Sequence, residues 1–155
     1  MPTNRREFVH LSILAAGAAG LTGQAPEISA DTDRAATSLK ILVLGGTGLI
    51  GPPMVEYAVA RGHEVTLFNR GTTNTHLFPD LEKLRGDRDG DLASLEAAIA
   101  AGRRWDAVID NPASIPRWVT ASAGLLAGHA DLYLYTSSRS AYADHSIVDA
   151  DEDAP

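Results

Sequence analysis

The stretch that most restricts the fold is LKILVLGGTGLIGPPMVEYAVARGHEVTLFNRG, residues 39–71. Lys40 to Leu44 is a short, mostly branched apolar run stopped by glycine, the pattern of a buried strand. Leu49 to Arg61 carries Ile50, Met54, Val55 and Ala58 on one helical stripe, with Gly62 as its stop. Glu64 to Phe68 is a second apolar run. Strand, glycine turn, helix and strand in that order form a crossover unit, and such a connection makes its two strands parallel.

The turn itself, Gly45-Gly46-Thr47-Gly48-Leu49-Ile50-Gly51, can be parsed as G-x-x-G-x-x-G (Gly45, Gly48, Gly51) or as G-x-G-x-x-G (Gly46, Gly48, Gly51). Either parse follows a strand and opens a helix, the context in which a glycine cluster becomes a dinucleotide site. The early glycines permit a tight turn, Gly48 lets backbone approach a pyrophosphate, and Gly51 lets helix pack on strand. The anion then faces free N–H groups at the positive end of the helix. Pro52 and Pro53 fall in the first turn, where N–H groups lack intrahelical partners, and an irregular helix start is expected there. Where the second strand ends, a carboxylate would bind the ribose 2′-OH and select NAD. Asn69 and Arg70 stand there instead, so NADP is favoured over NAD, a guanidinium being suited to a 2′-phosphate. A solvated loop arginine is the competing reading of Arg70.

Alternation continues downstream. Leu81 to Arg85 is a weaker third strand closed by Gly86-Asp87, and Asp91 to Ala101 a helix with Asp91 as N-cap and Leu92, Leu95 and Ile99 on one face. Ala107 to Asp110 is a fourth strand, Arg117 to Leu126 a helix, and Leu132 to Thr136 a fifth strand. The expected fold is α/β, a doubly wound parallel (Rossmann) sheet. At 155 residues the chain has room for one such domain. A net charge of -7 disfavours nucleic acid as a partner. There is no cysteine, and His10, His63, His76, His129 and His145 show no metal spacing with acidic partners, so no metal site is expected. The acidic run Asp149 to Asp153 lacks the glycine turn of a calcium loop and reads as a solvated rim. His63 reads as structural, and Trp105 and Trp118 as core or helix-packing residues.

Residues 1–30 differ in character. Arg5 and Arg6 precede an apolar stretch from Leu11 to Leu21 that is too short for a stable membrane span, which needs about 20 residues. With Phe8 and Val9 after the arginine pair, the segment resembles a twin-arginine export signal, with Ile28-Ser29-Ala30 as a cleavage site. Ala25 also has small neighbours, but Pro26 argues against cutting there. That resemblance implies the twin-arginine export machinery as a partner and a periplasmic destination, or a cytoplasmic one if the segment is only a peripheral helix. Residues 31–38 are polar and read as a linker, with the folded part at 39–155.

KILVLGGTGLIG, RGHEVTLFNRG, LRGDRDGDL, WDAVID and YLYTSSRSAYAD together resemble the extended short-chain dehydrogenase/reductases, the NAD-dependent epimerase/dehydratase family. The resemblance implies that Gly45, Gly46, Thr47, Gly48, Leu49, Ile50 and Gly51 cradle the pyrophosphate and that Asn69 and Arg70 lie at the adenosine ribose. It likewise implies that Asp87 and Arg88 border the adenine, and that Asn111, Pro112 and Ala113 flank the nicotinamide ribose. Ser138 matches the family's active-site serine, four residues before Tyr142, with Ser137 as the neighbour that could exchange with it. Read by itself, the serine pair is more simply a hydrogen-bonding loop at a strand end, Ser-Ser being common. The family's proton transfer needs a tyrosine four residues before a lysine on one helix, the lysine lowering the tyrosine pKa. Lys40 and Lys83 are the only lysines, preceded at that offset by Ala36 and Pro79, so the pair is absent. Tyr57 has Arg61 at the offset, but both belong to the first helix.

The implied chain is the N-terminal, cofactor-binding portion of a reductase, epimerase or dehydratase acting on a hydroxyl or carbonyl group of a small, possibly sugar-like molecule, and inactive alone. The competing class is a non-catalytic dinucleotide-binding sensor or regulatory protein. Either way the sheet is expected to be incomplete on its C-terminal side, with an open edge and an uncovered apolar face at the fifth strand that favour self-association into a homo-oligomer.

Overall fold

The computed structural model describes residues 34–111, 115–138, 143 and 146. Among them the chain runs β1 (Lys40–Leu44), α1 (Gly51–Ala60), β2 (Glu64–Asn69), β3 (Glu82–Arg85), α2 (Ala93–Ala100), β4 (Trp105–Asp110), α3 (Pro116–Leu126) and β5 (Ala130–Tyr135). The strands form one parallel sheet in the order β3-β2-β1-β4-β5. From β1 the chain winds outward to β3, then returns across the sheet to β4 on the other side of β1. The carboxyl-end loops of β1 and β4 therefore diverge, and a crevice opens between them. This is the expected α/β doubly wound fold, with its C-terminal edge open.

Alternation along each buried strand sends side chains to both faces. Ile41, Val43, Val65 and Leu67 meet Val55 and Ala58 of α1 on one face. Leu42, Leu44, Phe68, Trp105 and Val108 meet Leu95 of α2 and Leu126 of α3 on the other. Leu92 and Ile99 also pack against that second cluster, as their helical spacing predicts. Trp105 is a core residue, 3% exposed. The ring of His63 is structural, its Nδ1 accepting the Leu39 N–H at 3.1 Å.

Four local expectations are corrected. Helix α1 begins at Gly51, two residues later than its apolar stripe suggests, with Ile50 as N-cap. Pro52 and Pro53 both fit its first turn, where their missing N–H groups cost nothing. Asp91 does not cap α2. Its backbone exchanges two 2.8 Å hydrogen bonds with Asp87, which holds it outside the helix, and Leu92 takes the N-cap position without a side-chain bond. Strand β4 starts earlier than expected, at Trp105, and β5 runs from Ala130 to Tyr135, because Trp105 pairs with Ala130 in register. Trp118 is not in the core, as described below.

Among the described residues, strand β5 is a sheet edge. Leu132 and Leu134 align with Ala107 and Ile109 on the α1 side of the sheet, yet they are 50% and 47% exposed. The open, half-covered edge expected from the sequence is present.

Gly51 fixes how closely α1 approaches the end of β1. A Cβ at this residue would lie 2.5 Å from the carbonyl carbon of Gly46, a backbone atom that cannot move aside. Gly51→Ala should lower the free energy of unfolding in urea by about 1–3 kcal/mol. At Gly48 a Cβ would meet nothing within 4 Å, and Gly48→Ala should leave stability within about 0.5 kcal/mol of wild type. Equal losses in the two variants would contradict this packing.

Candidate functional site

At the carboxyl edge of the sheet lies a cleft of about 430 Å³, a size suited to a small organic ligand. The end of β1 and the turn after it contribute Leu44, Gly45, Thr47 and Gly48 to its wall. Phe68 to Thr73 come from the end of β2 and the segment after it, Gly86 to Arg88 follow β3, and Asn111, Ile115 and Trp118 follow β4.

The glycine turn uses both parses of its sequence. Gly45 and Gly46 both have positive φ, and Gly51 packs on the Gly46 backbone. Gly48 differs, since neither a positive φ nor a protein neighbour demands glycine there. Its missing side chain leaves open space on the cleft side, which suits close approach of a ligand to backbone. The prolines sharpen where an anion can sit. Pro52 and Pro53 remove two donors from the helix start, so the available N–H groups are those of Leu49, Ile50 and Gly51 just ahead of them. The Leu49 side chain is 98% exposed and that of Ile50 44%, so neither lines the cleft and both would act through backbone alone.

Asn69 organises the far end. Its Oδ1 accepts the Gly71 N–H and Arg85 Nη1, each at 3.0 Å, while its Nδ2 reaches the Gly45 carbonyl at 3.5 Å. Asn74, in a left-handed conformation with φ 45°, donates from Nδ2 to the Thr47 carbonyl at 2.9 Å. The segment after β2 is thereby folded back onto the glycine turn.

Beneath the cleft sits a buried polar network. Asp110 ends β4 fully buried, Arg88 Nη2 ion-pairs with its Oδ1, and the Tyr133 hydroxyl donates to its Oδ2 at 2.6 Å. The Ser122 hydroxyl of α3 lies 3.1 Å from that of Tyr133. Arg88 Nη1 also reaches the Asn111 carbonyl at 3.4 Å. Burial lowers the Arg88 pKa from its ordinary value. Burial is also the main cause that raises the Tyr133 hydroxyl, keeping it a neutral donor. Next to Arg88, Asp89 binds in the opposite sense, its Oδ1 accepting Arg117 Nη2 at 2.7 Å and Trp118 Nε1 at 2.9 Å. The Arg117 hydrogen bond, then that of Trp118, holds the Asp89 carboxyl below its usual range. Two oppositely directed clamps thus tie the Gly86–Asp91 loop to β4 and α3.

Of the residues singled out in the sequence, Gly45, Thr47, Gly48, Asn69, Arg70, Asp87, Arg88 and Asn111 meet around one cleft. Gly46 and Gly51 lie behind it, shaping the turn. Arg88 turns most of its side chain inward to Asp110. Pro112 and Ala113 fall outside the described residues, as do Tyr142, the export-like segment and the acidic run. Ser138 is exposed, three residues past β5, on the same carboxyl edge but not in the cleft wall. Tyr57 is half-exposed on α1, with the Arg61 guanidinium 5.7 Å from its ring centroid. Gly71, Thr72, Thr73, Ile115 and Trp118 were not foreseen as lining residues. All lie just beyond a carboxyl strand end, the position that could have flagged them.

A Rossmann-type sheet with a glycine turn at its switch point defines a dinucleotide-binding class of fold. The chain belongs to the NAD dependent epimerase/dehydratase family, whose model matches residues 41–130. It is 40% identical over 81 residues to 2-alkyl-3-oxoalkanoate reductase of Stenotrophomonas maltophilia (strain K279a), covering 52% of this chain and 23% of that one. It is 38% identical over 65 residues to chloroplast stem-loop binding protein of 41 kDa b of Arabidopsis thaliana, covering 42% and 16%. The matched stretches are thus less than a quarter of either relative. The Bordetella bronchiseptica enzyme WbmG, solved in complex with NAD and UDP, superposes with a TM-score of 0.62 at 18% identity, over 77% of this chain and 44% of that one. At that identity the likeness is one of fold.

Removing one partner of the Arg88–Asp110 pair leaves an uncompensated buried charge, and Asp110→Asn should cost about 3–5 kcal/mol in chemical unfolding. The double change Arg88→Met with Asp110→Leu should recover most of that loss. A double variant no more stable than Asp110→Asn would show that the pair is not what the carboxylate depends on.

Proposed function

We propose that this chain is the cofactor-binding portion of an NADP-dependent reductase, epimerase or dehydratase that exchanges hydride at a hydroxyl or carbonyl carbon of a small molecule. One observation carries the reading. The cleft joins an open backbone approach at Gly48 to an exposed Arg70 that has no carboxylate partner among the described residues.

The residues present fit a dinucleotide. The backbone N–H groups of Leu49, Ile50 and Gly51 would hold the pyrophosphate, and Arg70, just past β2, would take the adenosine ribose, where its guanidinium suits a 2′-phosphate. Ile115 and Trp118 add apolar surface to the cleft wall. The bound cofactor supplies hydride exchange at its nicotinamide. Ser138, on the same edge, holds the reacting oxygen by hydrogen bonding. Proton transfer falls to a tyrosine–lysine pair that these 155 residues do not contain, so this chain alone binds but does not turn over. The name of the Stenotrophomonas relative supports a ketone reduction, though a hydroxyl-bearing sugar remains an equal candidate for the substrate. Residues 1–30 act as a twin-arginine signal carrying a folded, cofactor-loaded protein to the periplasm.

A second reading, a non-catalytic dinucleotide-binding regulator, is favoured by the missing pair. The name of the Arabidopsis relative suggests an RNA partner for such a protein, but a net charge of -7 opposes phosphate-backbone contacts.

Titration of the purified chain, followed by Trp118 emission with Trp118→Phe as the control, should give a tighter Kd for NADP than for NAD by about tenfold, or 1.4 kcal/mol. Arg70→Met should remove most of that difference. Tighter binding of NAD, or no binding of either, would sink the proposal.

A further inference from the structure

Behind Asn69 the wall of the main cleft closes into a tightly packed polar corner, without free volume of its own, in which Thr47, Asn69, Gly71 and Thr73 of the cleft meet Lys83 and Arg85. Its cationic character stands out in a chain of net charge -7. Among the described residues neither Lys83 nor Arg85 is ion-paired. The acid beside them in β3, Glu82, is taken up by Arg103, with Nη2 to Oε2 at 2.5 Å. Lys83 donates from Nζ to the Leu77 carbonyl at 2.9 Å, which anchors it in the wall.

Arg85 is the informative residue. It ends β3 directly beside Asn69 in register, and its guanidinium reaches across to Asn69 Oδ1. It then lies against Gly71, so closely that a Cβ there would occupy the guanidinium's own space. Gly71 has φ +71° and immediately follows Arg70. The glycine therefore does two things: it turns the chain after β2, and it clears a path for Arg85 to the residue next to Arg70. One donor, Nη1, is spent on Asn69, and the rest of the five-donor fork stays available. A guanidinium held at one end by a neutral amide is oriented while its charge remains uncompensated.

We propose that Arg85 is a specificity-determining residue, the second guanidinium of a 2′-phosphate site that it forms with Arg70 and the Thr73 hydroxyl, and that Asn69 pre-orients it. This inference rests on the NADP reading above and deepens it. The ligand group is a ribose phosphomonoester, a dianion with three acceptor oxygens. Two guanidiniums and a hydroxyl match it, whereas the free 2′-OH of NAD offers them one weak acceptor. Asn69 spends its Oδ1 on the Gly71 N–H and Arg85 Nη1, so it acts on this end of the cleft through Arg85 while one Nδ2 hydrogen stays free. That also explains an amide at a position where NAD-selective folds of this kind carry a carboxylate: an acid there would neutralise Arg85.

The test is binding by the full chain, with NADP, NAD and 2′,5′-ADP as probes. Arg85→Met should weaken NADP and 2′,5′-ADP at least fivefold and change the Kd for NAD less than twofold. Arg85→Lys, which keeps the charge but loses the fork, should fall between wild type and Arg85→Met. Arg85 is exposed, so the unfolding midpoint should stay near that of wild type. If wild type prefers NADP and Arg85→Met leaves the preference intact, or weakens both dinucleotides equally, Arg85 has no such role and the NADP reading survives. If wild type shows no preference or favours NAD, both fall together.

Discussion

The buried carboxylate of Asp110 holds the site end of this molecule together. A lone ion in that position would cost several kcal/mol to desolvate. Here one oxygen meets Arg88 and the other the Tyr133 hydroxyl, so the charge is tolerated only with three elements in place. Those elements are the loop after β3, the edge strand β5 and, through Ser122, helix α3. The cleft wall around Asp87 and Trp118 is set by the same arrangement, because Asp89, one residue beyond Arg88, binds Arg117 and Trp118. Wall and sheet are therefore coupled: a change at the floor is felt at the rim.

On the opposite side of the switch point the constraint is steric. Gly51 against Gly46 sets the depth of α1, and the two prolines that follow confine the usable N–H groups to the turn ahead of the helix. Asn69 and Asn74 then fold the segment after β2 back onto that turn. The glycine turn, the Asn69 end and the apolar wall are in this way assembled from four strand ends, held by backbone and amide contacts on one side and by ion pairs on the other. The exposed Leu132 and Leu134 on β5 lie away from this assembly, on the α1 side of the sheet.

Most of the fold could be read from sequence because it is written locally. Each strand is a short apolar run and each helix a stripe, and the glycine turn names its own context. The errors arose where a specific partner, near or far in sequence, overrides the local pattern. Asp91 looks like a cap until Asp87 binds its backbone, and Trp118 looks like a core or helix-packing residue, of which the core alternative fails because Asp89 draws its indole N–H to the rim. Asp110 reads as a plain strand end, since nothing near it shows that Arg88 will pair with it. At the site, the glycines and Arg70 were legible by position. The approach of Arg85 to Gly71 was not, because it depends on the register of β3 against β2.

In the function proposed above, the cleft at the switch point takes a dinucleotide through the turn after β1 and the ends of β2 and β3. The most direct measurement is the amide NMR spectrum of labelled protein during addition of NADP. Shifts concentrated at Gly48, Leu49, Ile50, Gly51, Gly71, Thr73 and Asp87, with residues on the outer face of α2 unmoved, are expected. A spectrum unchanged at saturating NADP, or shifts confined to the β5 edge, would contradict the assignment of this cleft as the cofactor site.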